Sequence, residues 1–261
     1  MHSGSNKALF LSEEWHGKKT SHKIRSDQIK IRNHFHKFIE EVRVSRKGKR
    51  VELIHNGDAI DGDHHNSGDV CTLNTTEQAD IHIGIMNYFQ KKINWQAGDK
   101  LYYTRGTHIH VTDREDYIGN EMNAVMDGDL YAWEVLRLET NNTLSWFYHH
   151  GPNKGSGANR GNSLRNWLRD IYFDALEDGR RYPNIVYTGH VHNPDFSTYE
   201  ARSTDFKFDV MQAVILPSWQ MKTTYAYEKV PTARNRIGGV IHEIKADGTI
   251  TVPRFVVMDT E

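Results

Sequence analysis

The chain has 261 residues, with 33 Lys and Arg against 34 Asp and Glu, so no global positive field draws it to nucleic acid or to an anionic membrane. No apolar run is long enough to span a bilayer and the first residues lack the sections of a signal peptide, so the expectation is a soluble, cytoplasmic protein. Its single cysteine, Cys71, rules out an intramolecular disulfide and a thiolate-rich zinc site, whereas 16 histidines leave metal binding to imidazole and carboxylate.

In chain order, "MHSGSN" comes first and places His2 among small residues with no element ahead of it. Residues 27–44 put Ile29, Phe35, Phe38, Ile39 and Val42 near one helical face, with Asp27 as the expected N-terminal cap. "VELIHNGD" reads as a buried strand ending at Gly57. A second helix fits 76–92, "KLYYTRG" is another strand running into glycine, and a third helix fits 116–126. In "YAWEVLRLETNNTLSWFYHHG" two apolar runs flank Asn141–Asn142, a hairpin turn. A long helix within 161–178 precedes "NIVYTGHVHNP", and the remainder is strand-rich, with Asp247–Gly248 as a second hairpin turn. No repeat or linker marks a boundary, so residues 1–261 read as one domain. Helices alternating with strands, followed by hairpins, indicate an α/β fold: a central mixed sheet, or two stacked sheets, flanked by helices.

Four apolar strands end in polar clusters marked by glycine: "NGDAIDGD", "RGTHIH", "YHHGPN" and "TGHVHNP". Residues just past strand ends collect along one sheet edge, so groups remote in sequence can converge there. Glycine lets the backbone turn sharply and leaves Asp and His projecting. Each cluster alone has a plain reading: a solvated acidic loop for "GDAIDGD", or one interior and one surface histidine for His149–His150. "GHVH" is more specific, because histidines two apart at a turn can face one centre.

The ordered series Gly57–Asp58–Ala59–Ile60–Asp61, Gly106–Thr107–His108, His150–Gly151 and Gly189–His190–Val191–His192 resembles the calcineurin-like metallophosphoesterases. That family carries D-x-H, G-D-x-x-D, G-N-H-D/E, H-G and G-H-x-H in this order. The resemblance implies a single phosphoesterase domain, a β-sandwich of mixed sheets flanked by helices. "MHSG" looks like the first motif without its Asp, with His2 as the motif's histidine. A strand preceding that motif would then be lacking, leaving a slot between strands with unpaired edges.

The resemblance further implies one metal ion held by His2, Asp58 and His192. Asp58 would bridge to a second ion held by His150 and His190, and Asp61 would hydrogen-bond neighbouring loops. Thr107 departs from the pattern, standing where the family has a metal-binding Asn. Phage-encoded members write this motif as R-G-T-x-x-H, which Arg105–His110 matches, so His108 and His110 compete for the role of catalytic histidine. The implied activity is hydrolysis of a phosphate ester, a phosphodiester in preference. Two divalent ions, Mn or Fe before Zn or Ni, would activate a water, and a histidine would protonate the leaving oxygen. Lys154 and Arg160, in the basic loop after Gly151, are candidates to hold substrate phosphate, with nucleotide or nucleic acid among the candidate substrates. A Mre11-like DNA nuclease and a non-catalytic binding module that has lost full metal affinity are the alternatives.

Overall fold

The computed structural model describes residues 1–12, 14–15, 18–19, 22–62, 69–111, 113–152, 159, 161–202, 208–224 and 235–259. Two short strands, β1 (Glu14–Trp15) and β2 (Lys18–Lys19), pair antiparallel ahead of helix α1 (Ser26–Arg46). Ile31, Phe35, Phe38 and Ile39 bury one face of α1 at helical spacing. Asp27 does not cap this helix. It lies in the first turn, where its charge suits the helix dipole, while Gln28 Oε1 reaches back to accept from Arg25 N at 3.1 Å.

Strand β3 (Glu52–Asn56) leads through the Asp58 loop to α2 (Thr75–Lys92), where Asn74 Oδ1 caps by accepting from Thr76 N and Glu77 N. Next come β4 (Lys100–Thr104), the one-turn α3 (His108–Val111) and α4 (Arg114–Glu121). Helix α4 is shorter than the 116–126 pattern suggested, because Asn123 takes φ 50° and Ala124 N closes onto Gly119 O at 2.8 Å. After β5 (Ala132–Trp133), strands β6 (Leu136–Thr140) and β7 (Thr143–Tyr148) form the expected hairpin, with Asn141 and Asn142 both left-handed at φ 51° and 62°. The rest is α5 (Asn162–Glu177), β8 (Ile185–Thr188), β9 (Asp195–Arg202), β10 (Phe208–Ile215), β11 (Arg236–Ile241) and β12 (Arg254–Asp259). Strand β9, whose Asp195–Arg202 stretch lacks a clear apolar run, is an addition to the sequence reading.

One sheet has the order β3-β4-β5, all parallel; the other is mixed, β6-β7-β8-β10-β9; β11 and β12 form an antiparallel pair. An apolar layer with Tyr102, Leu136, Phe147, Ile185, Tyr187 and Val214 at its centre also takes in Ile54, Val240 and Phe255, so β3, β4, β11 and β12 face the five-stranded sheet. Helices α1, α2 and α4 cover the outer face of the first group, and α5 packs on the far face of the mixed sheet through Leu164 and Leu168. The result is a sandwich of two sheet layers between two helical layers. No helix among the described residues is long and apolar enough to cross a membrane.

The two layers are not equally filled. Strands β3 and β11 both line one cavity of ≈ 1070 Å³, which is walled by Phe35, Phe38 and Phe89 from the helices and by Leu138, Phe147 and Tyr187 from the opposite sheet. All five residues of β3 are half-buried. Leu136, which does not line this cavity, is fully buried between the sheets. Leu136→Ala is expected to cost about 2–5 kcal/mol, read as a lower urea midpoint with an unchanged slope.

Candidate metal centre

Parallel pairing of β3 with β4, and of β7 with β8, aims four chain reversals at one end of the sandwich. Asn56, the last residue of β3, ties them together: its Nδ2 donates to Tyr148 O at 2.8 Å and its Oδ1 accepts from Thr104 Oγ1 at 2.9 Å. Two glycines admit the close approaches that follow. Gly57 has φ 76°, and a Cβ there would stand 2.1 Å from His149 Nδ1; one on Gly106 would stand 2.2 Å from Asp58 N. The N-terminal residues join in parallel, with His2 N donating to Asp58 O at 2.8 Å and Ser3 N to Ala59 O at 2.9 Å.

Asp58 is buried at the centre. Its Oδ1 accepts from Thr107 N at 2.8 Å, while Oδ2 has His149 Nε2 at 3.0 Å and both His2 Nε2 and His190 Nδ1 at 3.7 Å. His192 Nε2 lies 3.1 Å from His2 Nε2. Despite this company, Oδ2 makes no aligned hydrogen bond. Burial by itself raises the Asp58 carboxyl, yet the imidazoles of His149 and His190 beside it and the charge of His2 outweigh it and hold the group well below the usual range. Four of these residues, His2, Asp58, His190 and His192, have φ between 50° and 63°, a conformation costing a non-glycine residue about 1–3 kcal/mol.

The residues singled out from sequence fall as follows. His2, Asp58, His190 and His192 converge on one point, and Asp61 supports them: its Oδ1 lies 3.2 Å from His2 Nδ1 and accepts from Gln220 Nε2 at 3.0 Å. His150 is exposed, its ring 4.6 Å from those of His149 and His190. Thr107 Oγ1 lies 3.3 Å from His149 Nε2 and 3.4 Å from His190 Nδ1. His108 is exposed at the start of α3; His110 belongs to the same turn, and its side chain lies outside the described residues, as do Lys154 and Arg160. Burial lowers His192 well below the ordinary imidazole value, and partial desolvation together with the neighbouring His149 and His190 lowers His150, which favours neutral, ligand-competent rings.

From sequence His149 had only the reading of an interior or surface histidine paired with His150, and Asn56 and Glu115 had no assigned role. His149 Nδ1 faces Asn56 O at 3.0 Å; a carbonyl only accepts, so the proton sits on Nδ1 and Nε2 is directed at Asp58. His149, His150 and His190 can each offer one atom, all within 4.8 Å of one another, to a single ion. A histidine doubled directly after a strand was the available signal, since alternation sends one ring inward.

Glu115, buried in α4, accepts from Ala59 N at 3.0 Å and from Gly106 N at 2.6 Å, clamping the loop of Asp58 to the loop of Thr107. Its burial pushes the carboxyl up to about 8.

No family model matches the sequence, and neither does any curated protein. Solved structures do match. A single mutant of Vps29 from Entamoeba histolytica is 10% identical over 87% of this chain and 89% of that one, with a TM-score of 0.33. A Streptococcus pneumoniae TIGR4 protein described as conserved, uncharacterized and a predicted phosphoesterase is 14% identical over 85% and 90%, with a TM-score of 0.27. At this distance the chemistry of the site stands on its own geometry.

Between pH 4.5 and about 8 the folded chain keeps a proton on Glu115 that the unfolded chain has lost, so stability is expected to fall as pH rises through that window. Urea unfolding in chelator should show this slope for the wild-type chain and a flatter one for Glu115→Gln, which is also expected to be less stable at every pH because its NH₂ meets one of the two N–H donors.

Proposed function

We propose that the chain is a metal-dependent phosphoesterase that hydrolyses a phosphate ester, a phosphodiester in preference to a monoester. The observation that carries this reading is the 3.0 Å approach of His149 Nε2 to Asp58 Oδ2, with the Nδ1 proton already committed to Asn56 O. Two lone pairs face each other in a buried place, and either a second proton on the ring or a cation between them removes the conflict. Imidazoles on both sides of a single carboxylate oxygen make the cation the better answer. His2 and His192 would hold one ion with Asp58; His149 and His190, with His150 at the outer edge, would hold the other.

This donor set of imidazole and carboxylate suits Mn or Fe, with Zn or Ni also accommodated. Bound there, such ions would supply Lewis-acid polarisation of the phosphate and acidify a water. The chain's own part is positional and protonic. Asp58 is kept ionised and oriented by Thr107 N, and the Glu115 clamp keeps those two loops in register. His108, exposed at the rim, or His110 in the same turn, hands a proton to the departing ester oxygen. Lys154 and Arg160 would hold the second ester arm, which is the reason for preferring a diester, and nucleic acid is one such substrate.

One observation favours a non-catalytic binding module instead. Among the described residues only the Asp58 carboxylate faces these histidines directly at the centre, with Asp61 on the far side of His2, so little negative charge is available to retain two divalent ions.

Metal content and turnover separate these readings. Purified chain is expected to carry close to two Mn or Fe ions and to cleave a bis-aryl phosphate faster than a monoaryl phosphate; DNA substrates test the Mre11-like version. Asp58→Asn should lower turnover by about 100-fold or more, and His149→Ala should weaken metal binding by about 10–100-fold. Of His108→Ala and His110→Ala, the one that loses turnover while keeping metal identifies the acid. Metal-free chain that stays inactive on every substrate with Mn added would leave the binding module.

A further inference from the structure

The cavity between β3 and β11 has the shape of a missing strand. Among the described residues β3 pairs with β4 alone, and β11 pairs with β12 and, through Ile237 only, with Ser218, so each turns an open backbone edge, Glu52–His55 and Gly239–Ile241, into the same space. Its two broad walls are apolar: Phe35, Phe38 and Phe89 on one, Leu138, Phe147 and Tyr187 on the other. A strand residue in a packed sheet occupies about 160 Å³, the product of a 3.3 Å rise, a 4.8 Å strand spacing and a 10 Å layer spacing. The ≈ 1070 Å³, part of which lies against Asp58, His149 and His190 at the site end, therefore takes at most about seven residues, and the slot itself about six, close to the five of β3.

The direction and the point of attachment are also set. His2 N donates to Asp58 O, Ser3 N to Ala59 O and Asp61 N to Ser3 O, with Ser3 and Ile60 paired in parallel just beyond the end of β3. The ladder between residues 1–3 and 58–60 thus continues the line of β3, and Met1 lines the cavity with its α-amino nitrogen donating to Asp58 O at 2.6 Å. Polypeptide joined to Met1 and following that ladder backwards runs alongside β3.

We propose that this slot is a strand-binding groove, and that its occupant is an extended apolar segment of about six residues, parallel to β3 and running directly into Met1. Such a strand joins β12-β11 to β3-β4-β5 and makes one sheet of six strands opposite the five-stranded sheet. Its backbone satisfies two open edges at once. Because both of its faces meet apolar walls, its sequence is a continuous run of aliphatic residues and not an alternating one.

The test leaves catalysis aside. Met1 is extended by six valine and isoleucine residues, and hydrogen exchange is followed at the amides of β3 and of Gly239–Ile241. Exchange there is expected to slow about tenfold or more, and melting to rise by about 5 °C or more. The same extension with a proline at its centre should give neither effect. The unextended chain is expected to bind an apolar dye that the aliphatic extension displaces. Unchanged exchange, equal protection by the proline version, protection confined to a concentration-dependent dimer, or equal protection by the separate hexapeptide would each overturn the proposal, as would failure of the unextended chain to bind the dye.

Discussion

A carboxylate taken out of water costs several kcal/mol unless donors or cations replace its hydration, and Asp58 is such a carboxylate. Its needs explain most of the surrounding architecture. One oxygen is met by a backbone N–H from the loop after β4; the other is approached by imidazoles from the N-terminus, from the end of β7 and from the turn after β8. These segments come from four places in the chain, and the parallel strands bring them together at one end. Glycine at positions 57 and 106 lets them close to contact distance, since a Cβ at either would collide with the histidine or with Asp58 itself. The left-handed backbone at His2, Asp58, His190 and His192 is strain that a packed surrounding can hold and an isolated loop cannot.

The same surroundings sort the histidines into two kinds. His82 shares hydrogen bonds with Ser3 Oγ and Tyr103 OH, and burial lowers it to about 3, so it stays neutral within the core. His242 stands between Tyr187 OH at 2.6 Å and Thr251 O at 2.5 Å, which places its proton on the nitrogen facing the carbonyl and lets it accept from the tyrosine. His34 reaches Val256 O across the α1 packing. These rings act as polar pins in apolar layers. The rings around Asp58 instead point their nitrogens at one another and at a carboxylate, an arrangement that is poor as a hydrogen-bond network and good as a ligand set.

The open slot and the site share a strand. Strand β3 is an edge strand along the slot, and its last residue, Asn56, is the latch that holds Tyr148, Thr104 and His149 in place. Loosening β3 therefore moves Asp58 and His149 together, whereas pairing its open edge stiffens both. Glu115 braces the opposite side by clamping the backbone at Ala59 and Gly106. Stability of the sandwich and geometry of the site are coupled through these two residues.

Local signals settled a good part of this protein from sequence alone. Helical spacing of Phe35, Phe38 and Ile39 marked α1, Asn141–Asn142 marked the β6–β7 hairpin, and glycine after apolar runs marked the strand ends where the functional groups gather. These features rest on interactions within a few residues, which a sequence displays directly. Other features did not show there because they depend on partners far along the chain. Whether Asp27 or Gln28 serves the start of α1, and where α4 stops, was decided by neighbouring side chains and by one left-handed asparagine. That His149 stands against Asp58 was decided by Asn56, 93 residues away, whose carbonyl fixes the ring. Glu115 looks like any acidic residue in a surface helix until tertiary packing buries it against two backbone N–H groups. The chain announces its strands, turns and ligand-type residues locally, but which lone pair faces which is fixed only when the layers close, because burial removes the water that would otherwise have satisfied them.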